Sequence, residues 1–101
     1  MKERYNMLYT IVSDVYEDKK DANIITVFLD LYNGDEYQMT MDLTFNITNI
    51  GLSSDMDYMY DLSKELDRIV CDLYEKKNYN FPSAVEVLQE LDKINYLTIE
   101  L

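Results

Sequence analysis

Length, composition and charge narrow the function of this chain before any motif is considered. The chain has 101 residues, 48% of them hydrophobic, so it is able to form a core and lacks the composition of a disordered protein. It carries 20 Asp and Glu residues against 9 Lys and Arg, no His, and a formal net charge of −11, which disfavours nucleic-acid or anionic-membrane binding and favours a basic partner.

The first predicted element covers residues 5–16, and its pattern allows two interpretations. Leu8, Val12 and Val15 would share one face of an amphipathic helix. The same segment is rich in β-branched and aromatic residues, which favour strands. We favour a first strand and keep the helix as the alternative; in either case these residues supply core.

Residues 24–45 give the clearest strand signal. Apolar residues occupy the odd positions of Ile25–Leu31 and again of Tyr37–Phe45, with mostly polar residues between them. The dipeptide Asn33-Gly34 between the two runs is typical of a hairpin turn. The segment therefore predicts a β-hairpin.

The length of the hairpin loop decides whether both apolar runs face the core. A two-residue loop would put them on opposite faces, whereas pairing Tyr32 with Glu36 unites them. We therefore predict a three-residue loop, with Gly34 or Asp35 in a left-handed or bulge conformation. On the polar face, this register pairs Asp30 with Gln38 and Thr26 with Asp42.

Two helices are predicted in the second half of the chain. Ser54 is a suitable N-cap for a helix that runs to about Lys77. Ser83 and Glu86 form the pattern of a capping box at the start of a second helix. The predicted buried stripes are Met59, Leu62, Leu66, Ile69, Val70 and Leu73 in the first helix, and Ala84, Val87, Leu88, Leu91 and Ile94 in the second.

The last residues, 96–101, alternate like a strand that returns to the sheet. Together these elements predict an α+β fold, in which a small antiparallel sheet packs against two helices. The sheet would consist of a two- or three-stranded meander plus the C-terminal strand. We predict a single compact acidic domain over residues 1–101.

Cysteine usage and hydropathy suggest the compartment. The single cysteine, Cys71, excludes an intrachain disulfide and indicates a reducing environment. We find no apolar run of about 18 residues and no signal-peptide pattern, so we predict a cytoplasmic protein without membrane association. The abundance of residues with AT-rich codons points to a low-GC bacterium, its phages or mobile elements.

Catalytic and metal-binding patterns are weak. The absence of His removes the commonest general base and the commonest metal ligand. Asp55-Met56-Asp57 has the spacing of some metal loops, but the further oxygen ligands and closing Glu of a calcium loop do not follow. We interpret Cys71 as a structural residue, and predict no catalytic residue, no metal, no cofactor and no enzymatic activity.

The excess of acid is concentrated in one part of the chain, because no Lys or Arg lies between Lys20 and Lys64. Carboxylates lie on the polar face of the hairpin and, beside tyrosines and methionines, at the start of the first helix. The plainer alternatives are a solvated sheet face, and aromatic side chains covered by the sheet or the second helix. The predicted partner-binding residues are Asp30, Glu36, Asp42, Asp55, Asp57, Tyr58, Tyr60 and Asp61.

These features predict a stoichiometric inhibitor of phage or mobile-element type, comparable in its mode of action to anti-CRISPR and anti-restriction proteins. It would occupy the basic nucleic-acid-binding groove of a host enzyme, such as a nuclease, with a DNA-mimicking acidic surface, as a monomer or homodimer. One alternative is an immunity protein or antitoxin that neutralises a basic nuclease toxin. Another is an acidic adaptor subunit of a larger assembly.

Overall fold

An antiparallel sheet lies against two helices in the residues described by the structure, a computed structural model: residues 8–21, 24–47, 56–93 and 97–98. The elements are β1 (Leu8–Glu17), β2 (Ile24–Asn33), β3 (Glu36–Ile47), α1 (Met56–Lys76), α2 (Ala84–Lys93) and β4 (Leu97–Thr98). The predicted α+β fold is confirmed. The first element is a strand over the residues described, so the helical alternative is wrong there.

The strands follow one another across the sheet in the order β1-β2-β3-β4. Both long pairings, β1 with β2 and β2 with β3, are antiparallel and consecutive in sequence. The short strand β4 pairs with the end of β3 through Leu97 and Thr98. The strand predicted over residues 96–101 is described only at these two residues, and the rest of it lies outside the described residues. Two residues do not test it, so that strand stays a prediction.

The core lies between one face of the sheet and the two helices. Strand β2 is fully buried on this face at alternate positions, as expected for a strand with one covered side. Both helices turn the described residues of their predicted apolar stripes toward this face, and Ile94 lies outside the described residues. The core residues with little or no exposure are Leu8, Ile25, Val27, Leu29, Leu31, Met41, Leu43, Phe45, Leu62, Leu66, Ile69, Val70, Tyr74, Val87, Leu88 and Leu91.

The hairpin between β2 and β3 departs from the prediction. Asn33 pairs with Glu36, so the turn has two residues, Gly34 and Asp35, and not three. Gly34 adopts a φ of 62°, which confirms its left-handed conformation and suits the first central position of a tight hairpin turn. The predicted pairing of Tyr32 with Glu36 is therefore wrong.

A β-bulge restores the pairing of odd-numbered residues of β2 with odd-numbered residues of β3, which a two-residue turn alone would prevent. The register shifts at the Leu31/Tyr32 step, where the partners change from Met39 to Tyr37 and Gln38 is the extra residue. Beyond the bulge, odd residues again face odd residues, and the two apolar runs share the core as predicted. Tyr37, on the hairpin side of the bulge, is the exception, because it faces outward. The cross-strand neighbours of Asp30 and Thr26 are consequently Thr40 and Thr44, not Gln38 and Asp42.

The free edge of β1 is capped by side chains from α1. Asp67 Oδ1 accepts hydrogen bonds from the Thr10 backbone N–H at 2.7 Å and from the Thr10 hydroxyl at 3.1 Å. The Cys71 thiol donates to the Leu8 carbonyl at 3.3 Å. Unpaired edge groups invite pairing with other chains, so these contacts both fix α1 on the sheet and close part of that edge.

The start of α2 confirms the predicted capping box. The Ser83 N–H donates to Glu86 Oε1 at 2.8 Å, and the Glu86 N–H donates to Ser83 Oγ at 3.2 Å. Lys77, the residue that follows α1, donates to the same carboxylate at 2.9 Å. One side chain thus caps α2 and ties it to α1. The N-cap predicted for α1, Ser54, lies outside the described residues.

Replacing Asp67 with Ala should destabilise the protein, because the half-buried Thr10 N–H would lose a charged acceptor. We expect a loss of about 1.5–3 kcal/mol in the free energy of unfolding, measured by urea denaturation. The matched control is Asp72→Ala on the same helix, whose ion pair with Arg68 is exposed and worth only about 0.3–0.5 kcal/mol. Equal losses in both variants would contradict the edge-capping role.

Glu86 should make stability depend on pH in the acidic range. The Ser83 N–H and then the Lys77 ammonium lower the pKa of Glu86 below its usual 4.5. Because the folded-state pKa is depressed, the stabilisation is present above the unfolded-state pKa and is lost as pH falls through the folded-state pKa.

Glu86→Gln keeps the cap but removes the charge, so its stability should fall below that of the wild type near neutral pH. The difference should disappear on acidification, as followed by urea unfolding at several pH values. Glu75→Gln, at an exposed position of α1, is the control. A gap between wild type and Glu86→Gln that persists unchanged in acid would refute this linkage.

Candidate functional site

The face of the sheet turned away from the helices bears exposed aromatic and acidic side chains. We call this surface the outer face. Its rows follow the cross-strand register of β1, β2 and β3. From the hairpin end onward, the rows are Tyr9–Tyr32–Tyr37, Ile11–Asp30–Thr40, Asp14–Phe28–Asp42 and Tyr16–Thr26–Thr44.

Three tyrosines form a continuous ladder across the first row. The rings of Tyr9 and Tyr32 are stacked with centroids 5.4 Å apart, and Tyr32 meets Tyr37 edge-to-face at 5.8 Å. Tyr37 remains 55% exposed. The Gln38 bulge places it here, because an unbroken alternation would have put this odd-numbered residue on the core face. Such rings offer large contact area at low conformational cost.

Phe28 lies at the centre of the outer face between two carboxylates. Asp14 is its neighbour on β1 and Asp42 its neighbour on β3. Tyr16 packs edge-on against the Phe28 ring at 5.3 Å, and the Tyr16 hydroxyl donates to Asp14 at 2.6 Å. This chain of contacts holds the aromatic ring and one of its flanking carboxylates in place.

The third carboxylate of the outer face, Asp30, is held by hydroxyl groups. Its Oδ1 accepts from Thr40 at 2.7 Å and from Ser13 at 3.3 Å. Asp42, by contrast, forms no hydrogen bond or ion pair within the described part of the chain. Both carboxylates therefore retain capacity to accept hydrogen bonds from a partner.

The strands that carry these carboxylates contribute no positive side chain. The sequences of β1, β2 and β3 contain no Lys or Arg. The described cations lie in the β1–β2 connection or on the helical layer, for example Lys19, Lys64 and Lys76. The outer face thus joins aromatic area to charge of one sign, a composition suited to a cationic protein surface.

The predicted partner-binding residues divide between two layers. Asp30 and Asp42 lie together on the outer face, and Glu36 begins β3 at the hairpin end with an exposed side chain. Tyr60 and Asp61 are exposed on α1, on the other side of the sheet. Three predictions are left without a described side chain: Asp55 lies outside the described residues, as do the side chains of Asp57 and Tyr58.

Tyr60 shows that part of the predicted helix surface is open. This ring is 62% exposed, and the Lys64 ammonium lies 4.7 Å from its centroid. Tyr74, further along α1, is buried in the core, where its ring centroid lies 5.2 Å from that of Phe81. The tyrosines of α1 are therefore divided between surface and core.

Sequence reasoning did not name several residues of the outer face as candidates. Asp14 and Tyr16 were hidden by the helix-or-strand ambiguity of the first segment. Phe28 and Tyr32 occupy even positions of β2, which face outward. Aromatic residues at positions predicted to face solvent could have marked them as candidates. Tyr37 carried no such signal, because its placement depends on the bulge.

A groove lies between β1 and α1. This groove has a volume of about 590 Å³ and is lined by Thr10, Ile11, Val12, Ser63, Lys64, Asp67 and Arg68. Its charged groups are already engaged: Asp67 caps Thr10, and Arg68 contacts Glu65 and Asp72. These contacts give the groove a structural role at the sheet edge.

The described residues provide little for catalysis or metal binding. Burial and then the nearby carboxylates, led by Asp67, raise the pKa of the Cys71 thiol to about 11, so it stays protonated and weakly nucleophilic. No group of three His, Cys, Asp or Glu side chains in these residues is placed to hold a metal ion. Neither described helix combines the length and apolarity needed to cross a bilayer.

Comparisons with known proteins do not add to this picture. No protein-family model, no curated protein and no solved structure matches the chain. The functional argument therefore depends on the geometry and chemistry of the outer face.

Tyr16 offers a direct test of the Asp14 contact. The hydrogen bond to Asp14, followed by the repulsion between that carboxylate and a phenolate, raises the pKa of Tyr16 above 10.0. Asp14→Asn should return this pKa toward 10.0, measured by NMR titration of the tyrosine ring resonances. Asp42→Asn, on the far side of Phe28, should leave it unchanged. A Tyr16 pKa that does not respond to Asp14→Asn would show that the contact is not formed in solution.

Proposed function

We propose that the protein is a stoichiometric inhibitor that binds the basic, nucleic-acid-binding surface of a host enzyme through its outer face. The activity would be of the phage or mobile-element type, as in anti-CRISPR or anti-restriction proteins. The observation that carries the proposal is the combination, on one sheet face, of aromatic rings with the carboxylates Asp14, Asp30 and Asp42, on three strands whose sequences contain no Lys or Arg.

Electrostatics favours this class of target. A net charge of −11 steers the chain toward strongly basic surfaces, and the commonest such surfaces in cells are those that bind nucleic acid. Asp14 and Asp42 lie on strands two positions apart, so their backbones are separated by about 10 Å. The carboxylates would replace nucleic-acid phosphates as counter-charges, while the aromatic rings supply the apolar contact that a phosphate backbone lacks.

The placement of the carboxylates also disfavours a homodimer formed through this face. A two-fold axis would bring the same patch of each copy together, and with it two sets of uncompensated carboxylates. A basic partner gains from the same arrangement. The proposal therefore has the outer face exposed in the free protein and covered by the target in the complex.

The test uses two baits in a host lysate: the wild type and the triple variant Asp14→Asn, Asp30→Asn, Asp42→Asn. Each is used at about 0.1 M salt, where the electrostatic screening length is about 10 Å, and again at about 0.5 M salt, where screening is stronger. The wild type should retain a basic nucleic-acid-binding protein at low salt and lose it at high salt. With the purified target, the wild type should inhibit it at equimolar ratio in competition with nucleic acid. The triple variant should bind about 100-fold more weakly or worse.

A control of equal charge separates local recognition from net charge. The variant Asp72→Asn, Glu75→Gln, Asp92→Asn removes the same number of carboxylates from exposed positions of the helices and should keep the target. Retention of the target by the outer-face variant would overturn the proposal. A captured partner that is not basic, or whose activity is unaffected, would overturn it as well.

A further inference from the structure

We propose that the outer face recognises arginine side chains in preference to lysine side chains. This inference rests on the proposed function, because it names the chemical group of the basic partner that the outer face contacts. The occupant is thus an arginine-rich surface segment of a protein, laid across β1, β2 and β3.

The central row has the two features that a guanidinium group uses. Phe28 supplies a ring on which a planar cation can stack, and Asp14 and Asp42 stand on the neighbouring strands at either side. Strands lie about 4.8 Å apart, so a group stacked on the Phe28 ring has a carboxylate within one strand spacing on both sides. Asp30, on the same strand two residues along, adds a third acceptor.

The ring is held in place before a partner binds. Tyr16 supports Phe28 edge-on at 5.3 Å, and Asp14 in turn accepts the Tyr16 hydroxyl at 2.6 Å. At the hairpin end, the tyrosine ladder is similarly fixed by ring contacts between Tyr9, Tyr32 and Tyr37. A site whose rings are already ordered loses less entropy when a ligand binds.

The chain's own cations display both interactions on the helical layer. Arg68 makes a two-pronged contact with Glu65, with distances of 3.1 and 3.2 Å. Lys64 places its ammonium over the Tyr60 ring at 4.7 Å. On the outer face, carboxylates and rings lie next to one another on adjacent strands, so a single cation could contact both. The sequences of these strands contain no Lys or Arg that could do so.

Arginine fits this arrangement better than lysine for physical reasons. Its planar guanidinium stacks on a ring while its edge N–H groups point sideways to carboxylates, and it is more weakly hydrated than an ammonium. A lysine ammonium is a compact, strongly hydrated charge that can satisfy a carboxylate but gains less from the ring. The expected preference therefore depends on Phe28 as well as on charge.

The experiment titrates the full-length chain with hexa-arginine and with hexalysine peptides at about 0.1 M salt by isothermal titration calorimetry. The peptides have equal charge, so a difference in affinity reports on the side-chain group. We expect hexa-arginine to bind about tenfold more tightly. Phe28→Leu should lower this ratio, because it should weaken hexa-arginine binding more than hexalysine binding.

The matched control is Phe81→Leu at the α1–α2 connection, which should preserve the arginine preference. NMR shifts of the wild type with hexa-arginine, which need no variant, should concentrate on the rings of Phe28, Tyr9, Tyr32 and Tyr37. Shifts confined to the helices would overturn the inference. So would an undiminished preference for arginine in a folded Phe28→Leu protein.

Two outcomes separate this inference from the proposed function. Equal affinity for both peptides, weakened by the triple Asp→Asn variant, would overturn the arginine preference while leaving the cationic partner in place. Absence of binding to either peptide at low salt would count against both.

Discussion

The described part of the molecule depends on a sheet that the two helices cover on one side. Because side chains alternate across a strand, burying the odd residues of β2 against the helices forces the even residues outward. The core needs Ile25, Val27, Leu29 and Leu31, and this requirement alone aligns Phe28, Asp30 and Tyr32 on the open side. The candidate site is thus produced by the same alternation that produces the fold.

Two irregularities adjust that alternation without disturbing the core. The bulge at Gln38 absorbs the parity error of a two-residue turn. A second shift, between Val12 and Asp14, moves the core-facing positions of β1 from even to odd residues and so turns Asp14 and Tyr16 outward. The first adds Tyr37 to the tyrosine ladder. The second lets Ser13 donate to Asp30 from the neighbouring strand. Both changes enrich the outer face, in keeping with the tendency of bulges to redirect side chains near functional surfaces.

The periodic parts of the sequence predicted the fold well, and the exceptions have physical causes. Alternation in β2 and the helical spacing from Leu62 to Val70 repeat over many residues, and each repeat strengthens the signal. A bulge is a single inserted residue with no compositional mark, so the loop length and register at Asp30 could not be predicted. In the site, Asp30 and Asp42 followed from alternation, whereas Asp14 had to await the choice between strand and helix.

The carboxylates of the outer face also bear on how the protein behaves when it is alone. That face carries six large apolar or aromatic side chains, which without polar residues among them would form an apolar patch prone to self-association. They are Tyr9, Ile11, Tyr16, Phe28, Tyr32 and Tyr37. Asp14, Asp30 and Asp42 lie among these side chains, and acidic residues within an apolar patch oppose self-association. The charges proposed to recognise a partner would therefore also help to keep the unbound protein dispersed, and mutations that remove them would weaken both properties.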